Sequence, residues 1–436
     1  MEQQDKMYDL IGVGVGPFNL SLAALLDEIE DIESVFFEQN DHFDWHPGML
    51  IEGTKMQVPF LADLVTMADP TNKHSFLNYI SQNDRMYQFY FLQRLDIPRR
   101  EYNEYCQWVS RRLPSCQFGQ RVTDVRHIKD NEEYFQIEVL NLATNQTSQF
   151  KARHLVMGTG TVPVMPKSLR NLPAADVFHT ADFLPNQDRC RNAKSITVVG
   201  SGQSAAETFR ELLKEQRDYG YRLEWITRSP GFASMEESKL SLEHFSPDYV
   251  NYFYQLPQKQ KDEIFANQGL YYKGISNHTI DDIYNLLYEH SIGGDELDVG
   301  LQVLSEVRDI MPKQAGDGYE ITCYHTQKKE EFTRESEVVV TATGYKPNVP
   351  DFVHHLGDFL EWDDEGRYKV EHDYRLKKAE ESSNEIYVHS GISHTHGVGS
   401  TNLGLSVHRN KVIINHLMGR GIYSLPERSI FQNFGL

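Results

Sequence analysis

Two glycine-rich turns of one kind, about 190 residues apart, hold the residues whose chemistry can be read first. One follows the apolar run Tyr8-Asp9-Leu10-Ile11 and reads Gly12-Val13-Gly14-Val15-Gly16-Pro17-Phe18-Asn19. The other follows Ile196-Thr197-Val198-Val199 and reads Gly200-Ser201-Gly202-Gln203-Ser204-Ala205. A strand, a tight glycine turn and a helix start make a dinucleotide diphosphate site, because glycines admit the phosphates and the helix end offers free N–H groups. One such turn is weak evidence. Two imply two dinucleotides, most simply a flavin and a nicotinamide that exchange a hydride. Glu38 ends the strand-like run Ser34-Val35-Phe36-Phe37, about two dozen residues past the first turn. A carboxylate there takes a ribose 2′-OH; a strand-end surface acid is the alternative.

These turns need elements to hold them. The pattern predicts an α/β fold with two Rossmann-like dinucleotide-binding domains and a small helical substrate subdomain. His154-Leu155-Val156-Met157-Gly158-Thr159-Gly160 and Val338-Val339-Val340-Thr341-Ala342-Thr343-Gly344-Tyr345 are strands that end in glycine. Their placement around the second turn predicts a discontinuous flavin domain (1–190 and 326–436) with the nicotinamide domain (191–235 and 293–325) inserted. Residues 236–292 read as helices, rich in tyrosine (Tyr249, Tyr252, Tyr254, Tyr271, Tyr272, Tyr284, Tyr288). A His/Gly-rich loop, His394-Thr395-His396-Gly397-Val398-Gly399, leads into a terminal helix carrying Leu403, Leu405 and Val407, whose N-terminus can aim at a flavin ring.

The chain has 436 residues, enough for two to three domains, and 39% hydrophobic residues supply their cores. A net charge of −20 argues against nucleic acid or an anionic membrane as main partner and suits a small cationic substrate. The four cysteines, Cys106, Cys116, Cys190 and Cys323, form no CxxC pair and no metal spacing, and read as free thiols of a reducing compartment. The start, Met1-Glu2-Gln3-Gln4-Asp5-Lys6, is polar, and no apolar run approaches the roughly 20 residues that span a bilayer. A cytoplasmic protein without bound metal is expected.

Several blocks resemble one family: Trp45-His46-Pro47-Gly48-Met49-Leu50, Met56-Gln57-Val58-Pro59-Phe60-Leu61-Ala62-Asp63-Leu64, Gly200 to Glu207, and Thr341-Ala342-Thr343-Gly344-Tyr345. The chain is similar, over nearly its whole length, to the flavin-dependent N-hydroxylating monooxygenases of siderophore biosynthesis, which include the lysine and ornithine N-monooxygenases. The resemblance implies FAD on Gly12, Gly14, Gly16, Pro17 and Glu38, and NADPH on Gly200, Gly202, Gln203, Ser204 and Ala205. It implies that Arg228 pairs with the 2′-phosphate, for which a guanidinium fork is suited; a surface charge is the alternative. Further cofactor contacts are expected from Trp45, His46, Gln57, Thr343, Gly344, Tyr345, His396, Gly397 and Leu405. Met56, Gln57 and Arg99 match residues near the family's reacting centre, and each has an alternative as packing or surface charge. In such enzymes O2 adds to reduced flavin as a C4a-hydroperoxide and a neutral amine takes its distal oxygen. Family members are commonly tetramers, so a homo-oligomer is expected.

The departures from the family bear on the substrate. Amino-acid-hydroxylating members read Phe-Leu-Lys-Asp-Leu where this chain reads Phe60-Leu61-Ala62-Asp63-Leu64, and that lysine binds the substrate carboxylate. Leu242 replaces a second polar pocket residue, an asparagine, and a third falls in Tyr271-Tyr272-Lys273. An unpaired carboxylate in a dry pocket costs several kcal/mol. The expected substrate is therefore a decarboxylated diamine, putrescine or cadaverine, with Glu243 as a candidate anchor for the distal ammonium; an exposed glutamate is the other reading. Lys55 or Lys273 replacing the missing lysine would keep L-lysine or L-ornithine, and histamine also lacks a carboxylate. A disulfide reductase would need a redox cysteine pair. A Baeyer–Villiger or sulfur-oxidising enzyme would need a glycine that Ala174-Ala175-Asp176-Val177-Phe178-His179-Thr180 lacks. A flavin redox sensor would not need the second nucleotide site.

Overall fold

The computed structural model describes residues 6–129, 131–166, 169, 172–294 and 297–435; the polar start Met1–Asp5 lies outside them. Its first sheet contains β1 (Met7–Val13), β2 (Ser34–Phe37), β3 (Cys116–Gln117), β4 (Gln120–Lys129), β5 (Glu133–Asn141) and β6 (Gln146–Met157), in the order β3-β2-β1-β6-β5-β4. β1 runs parallel to β2 and β6, whereas β5 and β4 extend the sheet antiparallel. Leu10, Ile11 and Val13 are all buried, as a strand covered on both faces requires. The helix Pro17–Leu26 follows the first turn at once, with Pro17 in its first turn, where a missing N–H costs nothing. Leu20 and Leu22–Leu26 bury that helix against the first core.

Beyond β7 (Thr161–Pro163) the chain builds a second sheet. It uses β8 (Val177–His179), β9 (Ser195–Val199), β10 (Arg222–Ile226), β11 (Val299–Gln302) and, after the antiparallel trio β12 (Ser305–Pro312), β13 (Tyr319–His325) and β14 (Glu330–Ser336), β15 (Val338–Thr341). The order β11-β10-β9-β15-β8 is parallel throughout. The helix Gln203–Tyr219 connects β9 to β10. The chain returns through β16 (Tyr345–Pro347), antiparallel to β7, and β17 (Ile386–Val388), parallel to β6. The two strands predicted to end in glycine thus lie in different sheets.

Strand pairing cuts across the boundaries expected at 190/191 and 325/326. β8 and β15, assigned by sequence to the first unit, complete the second sheet, and β12–β14 straddle the later boundary. The span 236–292 also divides. Its helix Asn277–Ser291 shares the second sheet's core through Ile280, Ile283, Leu286 and Leu287. The helix Pro247–Gln255 instead packs Tyr249 and Phe253 against Val398 of the His/Gly-rich loop. Among the described residues no helix is long and apolar enough to cross a membrane.

Candidate active site

The first turn is shaped for a diphosphate. A Cβ on Gly12 would lie 2.0 Å from the Phe36 ring, and Gly14 has φ +86 with Gly158 O 2.7 Å from where its Cβ would be. Only glycine meets both demands. Gly16 is the N-cap of the helix Pro17–Leu26 and no side chain caps it, so its first N–H groups face outward. Glu38 stands at this turn: one carboxylate oxygen accepts from Val15 N (2.8 Å), the other from Asn40 N (2.9 Å).

The second turn repeats the plan. Gly200 has φ +147, and a Cβ there would meet Ala342 O at 2.5 Å. Gly202 is the uncapped N-cap of the helix Gln203–Tyr219, which carries Ser204 and buried Ala205 in its first turn. Arg228 lies just beyond β10, exposed and without an ion pair among the described residues, free to meet a phosphate. The Gln203 side chain is already engaged: it accepts from Ser276 N (2.8 Å) and donates to Glu207 (2.9 Å) and Thr279 (3.1 Å). Only its backbone remains for a nucleotide, so its predicted role narrows to the turn itself.

A cavity of about 1220 Å³ opens from the first turn, where Gly16, Pro17 and Phe18 form one end. Trp45, His46, Met56, Gln57, Ala62, Arg99, Leu242, Tyr271, Lys273 and Tyr345 all line it. A Cβ on Gly202 would lie 3.3 Å from Lys273 O, so the far side of the cavity adjoins the second turn. His46 holds a left-handed backbone (φ +53) and packs its ring against Trp45 (5.0 Å) and Tyr345 (5.6 Å). Burial, helped by the Arg99 cation, lowers the His46 pKa to about 4, so the ring is neutral at ordinary pH. Arg99 grips Glu207 with both terminal nitrogens (2.8 Å each) and donates to Met49 O (3.0 Å). That bond joins the helix Arg99–Ser110 to the helix behind the second turn. Thr343 is tied to Val164 O, and Gly344 (φ +85) turns the chain toward Tyr345.

Four expected contacts fall elsewhere. The Glu243 carboxylate faces the C-terminal segment, accepting from Phe431 N (3.1 Å) and Gln432 N (2.9 Å), and these bonds lower its pKa. It does not line the cavity. His396 is buried with its ring between Thr395 Oγ1 (2.8 Å) and His372 O (3.3 Å). Gly397 packs under Phe253, and Leu405 under Gly399. The wall at this loop is made instead by His389, Ser390 and Gly391, by Ser393 and His394, and by Ser400, Thr401, Asn402 and Leu403.

Two carboxylates on the cavity lining, Glu236 and Glu237, escaped the sequence reading. They sit in an irregular stretch with no periodicity or motif to mark them; only their adjacency in an otherwise uncharged run was visible. Asp63, beside Ala62, is buried and fully used, accepting from Val65 N, Thr66 N, Thr66 Oγ1 and Phe76 N. Lys55, on the lining, is paired with Asp96 (3.0 Å). All four cysteines are free and buried.

Residues 6–347 match the model of the L-lysine 6-monooxygenase/L-ornithine 5-monooxygenase family. The chain belongs to this family. It is 41% identical to the rhizobactin siderophore biosynthesis protein RhbE of Rhizobium meliloti, over 98% of this chain and 95% of that one. It is 38% identical to the putrescine N-hydroxylase of Shewanella oneidensis, over 98% of this chain and 84% of the relative. Its structure resembles that of DfoA, the cadaverine monooxygenase of the desferrioxamine pathway of Erwinia amylovora, solved bound to FAD, with a TM-score of 0.95, 37% identity and 99% of each chain covered. Like other members of this monooxygenase family, the fold is built on two Rossmann-like units.

Proposed function

We propose that this monooxygenase N-hydroxylates one primary amine of an aliphatic diamine, putrescine or cadaverine, for siderophore biosynthesis. Its cofactors are FAD, on the first turn, and NADPH, on the second. The overall reaction consumes the amine, O2, NADPH and a proton and yields the hydroxylamine, water and NADP⁺. When bound, the reduced flavin supplies the activated oxygen.

The chain's own work is exclusion and positioning. Met56, Val58, Pro59, Phe245 and Leu403 give the cavity an apolar wall that keeps water from the reacting oxygen. An alkylammonium has a pKa near 10, and the same burial removes its proton. Ala62 carries the reading: it stands on the wall with a methyl group where the amino-acid enzymes have a cation, and Leu242 stands beside the cavity likewise. A diamine loses nothing there. Glu236 and Glu237 replace Glu243 as our candidates to hold the distal ammonium. Lys273 meets Gly202 through its backbone carbonyl, and its ammonium lies over the Tyr272 ring, 5.1 Å from the centroid. We assign the flavin unit to the first sheet with the segment from 346 on, and the nicotinamide unit to the second sheet. We also infer a homo-oligomer.

NADPH oxidation and hydroxylamine formation over putrescine, cadaverine, histamine, ornithine and lysine test the substrate. We expect kcat/KM for putrescine or cadaverine to exceed that for either amino acid by at least roughly 100-fold, about 2.7 kcal/mol. Ala62→Lys should depress diamine turnover by placing a cation on the wall. Equal turnover of lysine or ornithine by the unmodified enzyme would mean that another residue holds the carboxylate.

A further inference from the structure

The 3-10 turn Ser241–Phe245 brings Leu242 and Phe245 to the cavity lining, yet it buries none of its own residues. Short 3-10 runs have poor internal hydrogen bonds, so such a turn depends on contacts from outside it. Among the described residues, every hydrogen bond that residues 240–248 make to a distant part of the chain goes to one segment, 429–432. The Glu243 carboxylate accepts from Phe431 N (3.1 Å) through one oxygen and from Gln432 N (2.9 Å) through the other. The Gln432 side chain donates to Leu240 O. Asp248, in the first turn of the helix Pro247–Gln255, accepts from Ser429 N (3.1 Å) and from the Ser429 hydroxyl.

An aromatic ring completes the attachment. Half-buried Phe434 lies 4.9 Å from the rings of both His244 and Tyr249 and 6.1 Å from that of Tyr252. The His244 ring lies in turn 4.8 Å from Tyr271, which lines the cavity. Ring contacts thus run from Phe434 through His244 to the wall. The segment sets out from elsewhere: Asn415 accepts from Ile422 N (2.8 Å) and Tyr423 N (2.9 Å), and the Tyr423 hydroxyl donates to Leu25 O (3.4 Å). Residues 424–429 are all exposed, so the chain crosses without packing and attaches again at the turn. Ordering an exposed run costs conformational entropy, which the bonds to the turn offset.

We propose that residues 429–434 strap the substrate wall, with Phe434 as a positioning residue that holds Leu242, Phe245 and Tyr271 in place through His244 and the turn. The proposal deepens the reading of this cavity as the amine site and rests on it. A wall displaced by about 1 Å holds the amine poorly and admits water. NADPH, O2 and a proton then give NADP⁺ and H2O2 in place of hydroxylamine.

Phe434→Ala, Phe434→Leu and a chain stopped after Leu425 are compared with the unmodified chain, on whichever amine of the panel the latter hydroxylates best. The readouts are KM for the amine, KM for NADPH, hydroxylamine formed per NADPH oxidised, and melting temperature. We expect Phe434→Ala and the shortened chain to raise the amine KM at least about 10-fold and to divert at least about half of the NADPH oxidation to peroxide. The NADPH KM should stay within about twofold and the melting temperature within about 4 °C, because the segment joins neither sheet and opens locally. Phe434→Leu, which keeps an apolar side chain, should recover part of both losses. An amine KM and a hydroxylamine yield within about twofold of the unmodified chain, in either Phe434→Ala or the shortened chain, overturn the proposal. So does an equal rise in the NADPH KM, a larger fall in melting temperature or a failure to fold, any of which makes the segment a support of the fold. If the best amine is ornithine or lysine, the diamine reading fails and the strap is judged by the same ratios.

Discussion

A single guanidinium should set the choice of nicotinamide. Arg228 is exposed at the end of β10, beside the second turn, and no carboxylate claims it among the described residues. A charge-assisted bond to the 2′-phosphate contributes about 1.5–3 kcal/mol. Arg228→Ala should therefore raise the KM for NADPH by roughly 10- to 100-fold and leave NADH use nearly unchanged; equal loss with both nucleotides would make the residue structural. At this same scale Ala62 and Glu243 illustrate opposite outcomes. Ala62 was legible because a motif fixes its neighbours, so a changed residue type stands out. Glu243 was misplaced because one-dimensional neighbourhood with Leu242 does not fix direction: in the short 3-10 turn Ser241–Phe245, adjacent side chains point apart, and the acid turns to Phe431 and Gln432.

The Arg99–Glu207 pair joins the cavity wall to the helix behind the second turn, beside the bond from Arg210 to Glu52 O (3.1 Å). Glu207 is 1% exposed, and it also receives Gln203, which receives Ser276 in turn. Removing one partner of a buried pair strands the other charge, at a cost of about 3–5 kcal/mol. Glu207→Gln should lower the melting temperature and raise the KM for NADPH, because the helix start that bears the second turn is no longer held. The double variant Arg99→Met with Glu207→Leu should recover most of the stability. A melting temperature unchanged in Glu207→Gln would show that the pair is solvent-relaxed. The glycine turns and their flanking strands were legible as local patterns. The pairing of β8 and β15 was not, because each is a short apolar run that would suit either sheet, and only the register beside β9 decides it.

At the scale of the molecule, half-buried histidines give the fold an acid edge. His46, His154 and His408 are each lowered by burial to about 4 from an ordinary 6.5. Between these values the unfolded chain binds protons that the folded chain does not. Stability from these groups is therefore full above pH 6.5 and is lost as pH falls toward 4, by about 1.4 kcal/mol per group and pH unit at most. Asp63 and Glu211, raised by burial, oppose this just above the ordinary carboxylate range. Melting temperatures should fall steadily from pH 6.5 to 4.5 and stay level from 7 to 8; a level profile throughout would mean the rings are hydrated. The helix Met86–Leu92 buries no residue, and Tyr87, Tyr90 and Phe91 are 78%, 67% and 70% exposed. Such a patch fits contact between copies. Light scattering should report an oligomer that Tyr90→Glu with Phe91→Glu dissociates; a monomeric unmodified chain would refute it.

Sequence alone determined the two glycine turns, the α/β class, the family and the alanine at position 62 of its motif. Each of these rests on residue type at fixed local spacing: glycines where a Cβ would clash within its own βα unit, and a motif with one changed letter. Tertiary structure alone decided which residues face the cavity. His389 and Glu236 carry no local signature, and they reach the cavity lining only because β17 docks beside β6 and an irregular segment borders the cavity. His396 has a strong local signature and is turned away by the packing of Gly397 under Phe253. Direction at a loop is set by what the loop packs against, and those partners lie far away in the chain.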